Sequence, residues 1–350
     1  MDKVLLSELG WACVVIVENE DLSTLECIPF MGTGAVGQAK DFIKNWIEKM
    51  LRVGCWQKMK YDVQLHVMLD NEPHATNILT VEEVSSWVSF GVDWEVLAEG
   101  KTKRVYQDPV SSDWVMIESK PDITAGDGVK HDVMAGKAEA ATETTSVVFQ
   151  VLNRSGITTH FQSQLSETKF LAEKCEMIPL EVVVRRFATG SYLKRNEGVE
   201  EGQRLDELVV EFFFKDDAQH DPMVLVDDPE RRVLVHAKDP IEVLGVIPPF
   251  MSLDELEKME EEAKRIFTIL ERCWQNLDCR LWDMKVEFGH NVEGDIILAD
   301  VIDNDSWRVT DHHGVQLDKQ TYRDGSLSMD EIGDRYQLVA TLVKRFLDMK

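Results

Sequence analysis

The sequence predicts an α+β protein, and three observations carry that reading. From Trp94 onward, short apolar runs alternate with tight turns, the pattern of an antiparallel sheet. Two later stretches pair a capping signature with apolar residues at three- and four-residue spacing, the pattern of amphipathic helices. Residues 1–90 mix strand-like and helix-like patterns and read as a small N-terminal α/β extension.

Within that extension, Trp11 to Val17 and Val63 to Leu69 read as strands. Ala39 to Leu51 has a helical pattern, and Thr80-Val81-Glu82-Glu83 opens a helix signal. A linker is expected between Ser85 and Glu99. Beyond it, Glu95 to Ala98, Arg104 to Tyr106 and Trp114 to Glu118 read as strands, Lys137 to Asn153 as a helix, and a further strand ends in Arg185 and Arg186. Extended chain is expected around Phe212 to Phe214. Ser252-Leu253-Asp254-Glu255 and Ser328-Met329-Asp330-Glu331 have the form in which a hydroxyl and a carboxylate cap backbone amides reciprocally. The stripes that follow, Leu256, Met259, Ala263, Ile266 and Leu270, then Ile332, Tyr336, Val339, Val343 and Phe346, are core positions by spacing.

A chain of 350 residues is long enough for two or three domains. Its 38 basic and 64 acidic residues leave a net charge of −26, which repels polyanions and argues against nucleic acid or an anionic membrane surface as partner. A pocket for a small anion has to stand out as a local exception. The six cysteines form no C-x-x-C pair and no zinc-like array, and the longest apolar run, Trp11 to Val17, is far too short to span a membrane. Free thiols and a cytoplasmic location are expected.

Three stretches have the residue types for chemistry on anions. Arg185-Arg186-Phe187-Ala188-Thr189-Gly190-Ser191-Tyr192-Leu193-Lys194-Arg195 carries four cations and no carboxylate. A strand ending in arginine, a small-residue turn and a hydroxyl suit a phosphate or carboxylate, and a basic surface turn paired with acidic neighbours is the competing reading. In Glu99-Gly100-Lys101-Thr102-Lys103, alternating lysines on one strand face suit nucleotide phosphates or, equally, protect an exposed edge. In the third stretch Asp283, Lys285 and Glu287 share a strand face opposite Met284, Val286 and Phe288, and a second apolar strand delivers Asp300. Two carboxylates on adjacent strands with a lysine between them suit Mg²⁺ bridging nucleotide phosphates, because Mg²⁺ prefers oxygen ligands and keeps several waters. Gly32-Thr33-Gly34-Ala35-Val36-Gly37 matches G-x-G-x-x-G, but its short context and missing acidic residue argue for an ordinary glycine-rich turn before a helix. The nine histidines contain no H-E-x-x-H, and no G-x-S-x-G elbow is present.

Taken together these stretches resemble the SAICAR synthetase family (phosphoribosylaminoimidazole-succinocarboxamide synthase), particularly the synthetase half of the bifunctional animal purine enzymes. The matching segments run from Glu99 to Tyr106, through Ile123 to Asp127, Cys175 to Glu181, Arg185 to Arg195 and Phe213 to Ala218, to Asp283 to Gly289, Leu298 to Arg308 and Asp318 to Asp324. The resemblance implies a two-lobed fold, with an antiparallel-sheet ATP lobe like that of kinases and ATP-grasp enzymes over residues 91–177. A larger α/β substrate lobe would cover 178–350, with 1–90 an extension of unknown role. It implies a ligase of de novo purine synthesis that condenses a carboxylated aminoimidazole ribonucleotide (CAIR) with L-aspartate. ATP activates the carboxylate as an acyl phosphate, and SAICAR, ADP and phosphate are released.

By the same resemblance ATP phosphates fall to Lys101 and Lys103, Mg²⁺ to Glu287 and Asp300, and the ribonucleotide to Arg185, Ser191 and Arg308, with Asp305 nearby. Lys215 and Arg323, grouped with Lys285 as catalytic, would meet substrate carboxylates or the transferred phosphoryl group. The expected partners are these small molecules, and the expected assembly is a monomer or homodimer. The animal enzymes continue into a carboxylase domain and this chain stops at Lys350, so CAIR formation is not expected of it. Where the family has an Asn-Lys pair in the helix after Lys137, this chain has Thr142-Glu143, a charge reversal expected to alter packing of the ATP lobe or weaken activity. Two alternatives remain at this point: a synthetase-derived regulatory or partner-binding protein, and a kinase-like phosphotransferase with another acceptor.

Overall fold

The structure, a computed structural model, describes residues 11–18, 23–31, 61–69, 72–79, 94–108, 112–125, 130–228, 231–247 and 251–349. The chain divides into two compact units, Met1–Glu95 with Pro109–Ser111, and Val96–Asp108 with Ser112–Lys350. In the first, β1 (Trp11–Glu18), β2 (Ser23–Met31), β3 (Tyr61–Leu69) and β4 (Glu72–Leu79) form an antiparallel sheet in the order β2-β1-β3-β4. The β-branched run Val14-Val15-Ile16-Val17 favours the central position of β1. β1 and β3 are the two expected strands, and β2 and β4 flank them. The helical patterns at 39–51 and from Thr80, and the stretch 32–37, lie outside the described residues.

The second unit opens within β5 (Glu95–Glu99), at Val96, so the expected linker stops short of its last five residues. With β6 (Lys103–Gln107), β7 (Trp114–Ser119), β10 (Phe161–Ser166) and β11 (Lys169–Glu173) it makes a five-stranded sheet ordered β10-β11-β7-β6-β5. A hairpin, β8 (Asp122–Ala125) with β9 (Lys130–Val133), precedes helix α1 (Lys137–Arg154). α1 turns Val147, Val148, Phe149 and Leu152 inward. Its Thr142 is buried and shares a 2.7 Å hydrogen bond with Ser119 of β7, and Glu143 pairs with Lys344 at 3.2 Å. The charge reversal in this helix thus has partners on both sides.

A larger sheet follows, ordered β16-β15-β14-β13-β12-β17-β18, with β19 also paired to β17. Its strands are β12 (Glu176–Phe187), β13 (Arg204–Phe214), β14 (Met223–Asp228), β15 (Arg231–His236), β16 (Asp239–Ile247), β17 (Arg280–His290), β18 (Ile296–Ala299) and β19 (Trp307–Thr310). Short helices α2 (Ser191–Arg195) and α4 (Gln320–Asp324) and long helices α3 (Leu253–Gln275) and α5 (Met329–Lys344) complete the unit. Both long helices begin at the expected reciprocal caps. The α3 stripe, Leu256, Met259, Ala263, Ile266 and Leu270, is buried, and Trp274 at its end meets Trp307 and Phe346 edge-on at 5.3 and 5.0 Å. One apolar core runs from Val115 and Ile117 of β7 through Phe149 of α1 to Val184, Met284 and Phe267. No helix of the described residues is long and apolar enough to cross a membrane.

The α5 cap sets the helix that carries Tyr336. Replacing Ser328 with Ala removes the hydroxyl that accepts from the Glu331 amide, and should cost about 1 kcal/mol, with Ser328→Asp retaining most of it. Urea unfolding measures the difference, and an unchanged midpoint for the Ala variant refutes the assignment.

Candidate active site

The site is laid out by strand register. β12 and β17 run antiparallel with Glu181 opposite Glu287, Val183 opposite Lys285 and Arg185 opposite Asp283, so these six side chains share one face. On the far side of β12, Phe213, Glu211 and Val209 extend the same rows, and on the far side of β17, Arg308 of β19 stands opposite Asp283. The alternate residues of β17, Met284, Val286 and Phe288, face the apolar core and are 1–2% exposed. Period-two alternation therefore puts the charged face of β17 over a cavity and its apolar face against α3.

Asp283 is the centre of one row. Its Oδ2 accepts from Arg185 Nη1 at 2.5 Å and from Arg308 Nη1 at 2.5 Å, and Arg185 Nε donates to Glu211 at 2.7 Å. Arg195 also donates to Glu211, and Arg186 pairs with Glu271. The three arginines of the basic stretch are thus paired with acids, as the competing reading held, but Arg185, Glu211 and Asp283 are buried rather than at the surface. Gly190, at φ 61°, lets the turn after β12 pass against Arg308, because a Cβ there would sit 2.9 Å from Arg308 Nη2. Ser191 then starts α2 with its Oγ 3.4 Å from Arg185 Nη2. Arg185, Ser191, Lys285, Asp305, Arg308 and Arg323 all border a cavity of about 230 Å³.

Beside this cavity lies a lysine–carboxylate cluster. Lys215 Nζ donates to Glu287 at 2.6 Å, Lys285 Nζ donates to Glu181 at 2.8 Å, and Lys103 contacts the Asp300 carboxylate. Glu287 stands opposite Ala299, which places Asp300 one residue beyond that pair. Burial alone would raise the Glu287 carboxyl, but Lys103, Lys215 and Lys285 outweigh it and hold it below its ordinary value. Glu181 holds the Lys285 ammonium well above the usual lysine range, so Lys285 is a permanent cation and not a base. Lys103 opens β6, whereas exposed Lys101 lies in the bend before it, closed by the Gly100 amide on the Lys103 carbonyl at 2.9 Å. The two lysines therefore do not share a strand face, because the turn intervenes.

The residues present fit a magnesium ion. Glu287 and Asp300 are neighbouring carboxylates, each already facing an ammonium group, and Mg²⁺ completes its shell with water and phosphate oxygens. Among the described residues no group of three or more potential metal-ligating side chains occurs, so a site built wholly from protein is not available there.

Asp305 has partners that sequence alone did not reveal. Its Oδ1 accepts from Tyr336 at 2.5 Å and its Oδ2 from Lys319 at 3.1 Å, and Lys137 Nζ lies 3.4 Å from Oδ2. Burial would raise its carboxyl, but Lys137 and Lys319 hold it far below the usual carboxylate range. Tyr336 reads as core by spacing, and its hydroxyl was the one signal that its far end needs a polar partner. Glu181 and Glu211 were likewise missed, although each lies on a strand face that also carries a site residue.

Comparison with known proteins gives a consistent result. A sequence model described as SAICAR synthetase matches residues 96–338. A Chloroflexus aurantiacus protein named phosphoribosylaminoimidazole-succinocarboxamide synthase is 43% identical over 257 residues, covering 72% of this chain and 96% of that protein. A Drosophila melanogaster bifunctional phosphoribosylaminoimidazole carboxylase/succinocarboxamide synthetase is 46% identical over 65% of this chain and 52% of its own length. A solved SAICAR synthetase in complex with ADP superposes with a TM-score of 0.61 at 35% identity, covering 71% of this chain and 97% of that one.

Asp318 gives a test of the local electrostatics. Burial pushes its carboxyl up to about 6 from 3.8, against the Gln320 and Val309 amides that bond it at 2.6 and 2.8 Å. Between those values the folded chain holds a proton that the unfolded chain has lost. The group's stabilising contribution is full below 3.8 and declines as pH rises through about 6. Asp318→Asn should remove a decline on the order of 3 kcal/mol from the curve of unfolding free energy against pH. Parallel curves for the two proteins would refute this.

Proposed function

The chain belongs to the SAICAR synthetase family, and we propose that its cavity and its lysine–carboxylate cluster divide that family's reaction between them. The protein is an ATP-dependent ligase of purine biosynthesis that joins CAIR to L-aspartate. The observation that carries the division of labour is the row Arg185, Asp283, Arg308. It presents two fixed guanidinium groups to one cavity while the same strands present Glu287 and Lys285 to the neighbouring cluster. We assign residues 91–177 to the nucleotide lobe and 178–350 to the substrate lobe.

In this reading Arg185, Ser191 and Arg308 grip the ribonucleotide through forked and hydroxyl contacts, with Asp305 at the wall of the same cavity. Lys101 and Lys103 face the ATP phosphates. Glu287 and Asp300 would hold Mg²⁺, which when bound supplies positive charge against those phosphates. An oxygen of the CAIR carboxylate attacks the γ-phosphorus, and the bond to ADP breaks. The aspartate amine then attacks the acyl carbon, loses a proton, and phosphate departs. Lys215, Lys285 and Arg323 offset the negative charge that gathers on the phosphoryl group and carboxylates, and the sheet holds the reactants in register. Lys285 suits this role because it stays charged.

Support for a cytoplasmic setting comes from the thiols. Cys175, Cys273 and Cys279 are free, and burial pushes Cys175 up to about 12 and Cys273 to about 11, which leaves them inert.

ADP release from Mg²⁺-ATP and CAIR should require L-aspartate. In Arg308→Ala, kcat/KM for CAIR should fall roughly a hundredfold or more, as for loss of a charged contact to a bound anion. Folding should persist because Arg185 still neutralises Asp283. Turnover without aspartate, or an unchanged kcat/KM in the variant, refutes the assignment.

A further inference from the structure

We propose that His160 is a positioning residue that holds the backbone of Asp300, through a hydrogen bond from its imidazole to the Asp300 carbonyl, in the turn that presents the Asp300 carboxylate beside Glu287. The inference deepens the magnesium assignment and rests on it.

Asp300 has φ 63°, a left-handed conformation that is costly for most residues and that aspartate tolerates better than most. It follows the last ladder pair between β17 and β18, Glu287 with Ala299. His160 Nε2 lies 2.9 Å from the Asp300 carbonyl oxygen. A carbonyl only accepts, so Nε2 carries the proton and donates.

The imidazole is fixed from every side. The segment that carries it runs beside β18: the Leu298 amide donates to the Thr158 carbonyl at 3.1 Å, and the His160 amide to the Leu298 carbonyl at 2.9 Å. Phe149 and Phe170 meet the ring edge-on with centroids 5.5 and 6.0 Å away. His160 is 4% exposed. A buried donor placed on the left-handed peptide of a metal-ligand candidate is what a support for that ligand requires. The route also links the segment between α1 and β10 to the carboxylate end of β18.

The test compares His160→Phe and His160→Met, which remove the donor, with His160→Gln, which keeps an N–H at similar reach. The readout is ATP affinity by calorimetry with Mg²⁺ and with EDTA, together with Tm and with KM for ATP and for CAIR. The wild type should gain ATP affinity from Mg²⁺. The Phe and Met variants should lose roughly tenfold to a hundredfold of that gain, and the Gln variant should stay within about threefold of wild type. KM for ATP should rise in the first two while KM for CAIR holds. A full Mg²⁺-dependent gain in the Phe or Met variant overturns the proposal, as does an equal loss in all three, which would assign the effect to ring packing. If the Phe variant does not fold, the Met and Gln pair, equal in length, separates the same outcomes. A wild type that gains nothing from Mg²⁺ instead removes the metal assignment itself, and this proposal with it.

Discussion

A single buried carboxylate organises the substrate cavity. Asp283 takes both Arg185 and Arg308 on one oxygen, from strands on either side of β17, and Arg185 could not sit so deep without it. Taking out Asp283 would leave the buried Arg185 guanidinium short of one of its two acids, in a medium that solvates charge poorly, at about 3–5 kcal/mol. The guanidinium groups are therefore held before any substrate arrives, and little ordering remains to be done on binding. Gly190 belongs to the same constraint, since its missing side chain is the space that Arg308 occupies.

The neighbouring cluster applies the same rule with looser partners. Lysines stand against Glu287, Glu181 and Asp300 in a chain of net charge −26, so the local field is reversed where anions have to be admitted. Lys215, paired with Glu287, and Lys285, paired with Glu181, are both partly exposed, and Glu181 holds Lys285 charged. The cluster thus sets cations where phosphate charge first arrives and later leaves.

Much of this was legible in the chain because sheet chemistry has a period of two. Asp283, Lys285 and Glu287 fall on one face by alternation alone, and Arg185 and Asp300 end apolar strands that could be read directly. Both reciprocal caps were equally plain, each being settled by two residues three apart. What the sequence hid were contacts made across the fold. Nothing local to Lys137, Lys319 or Tyr336 says that three separate elements converge on Asp305, and His160 carries no motif, since its role comes from the backbone angle of a residue 140 positions away. Lys101 shows the converse error. Its spacing from Lys103 implied a shared strand face, but a turn hydrogen bond takes precedence over alternation at that point.

The apolar core that passes beneath both sheets of the larger unit acts as a weld. Val115 and Phe149 on one side and Val184 and Met284 on the other belong to the same packed interior, and atoms at that density cannot slide apart without losing contact. The two sheets therefore share one interior, and parting them would expose it. The cavity's rim includes the turn after His236, where the Ala237 carbonyl accepts from Arg195. An enzyme built this way should tolerate changes in rim length far better than a change of one methylene group under the sheets.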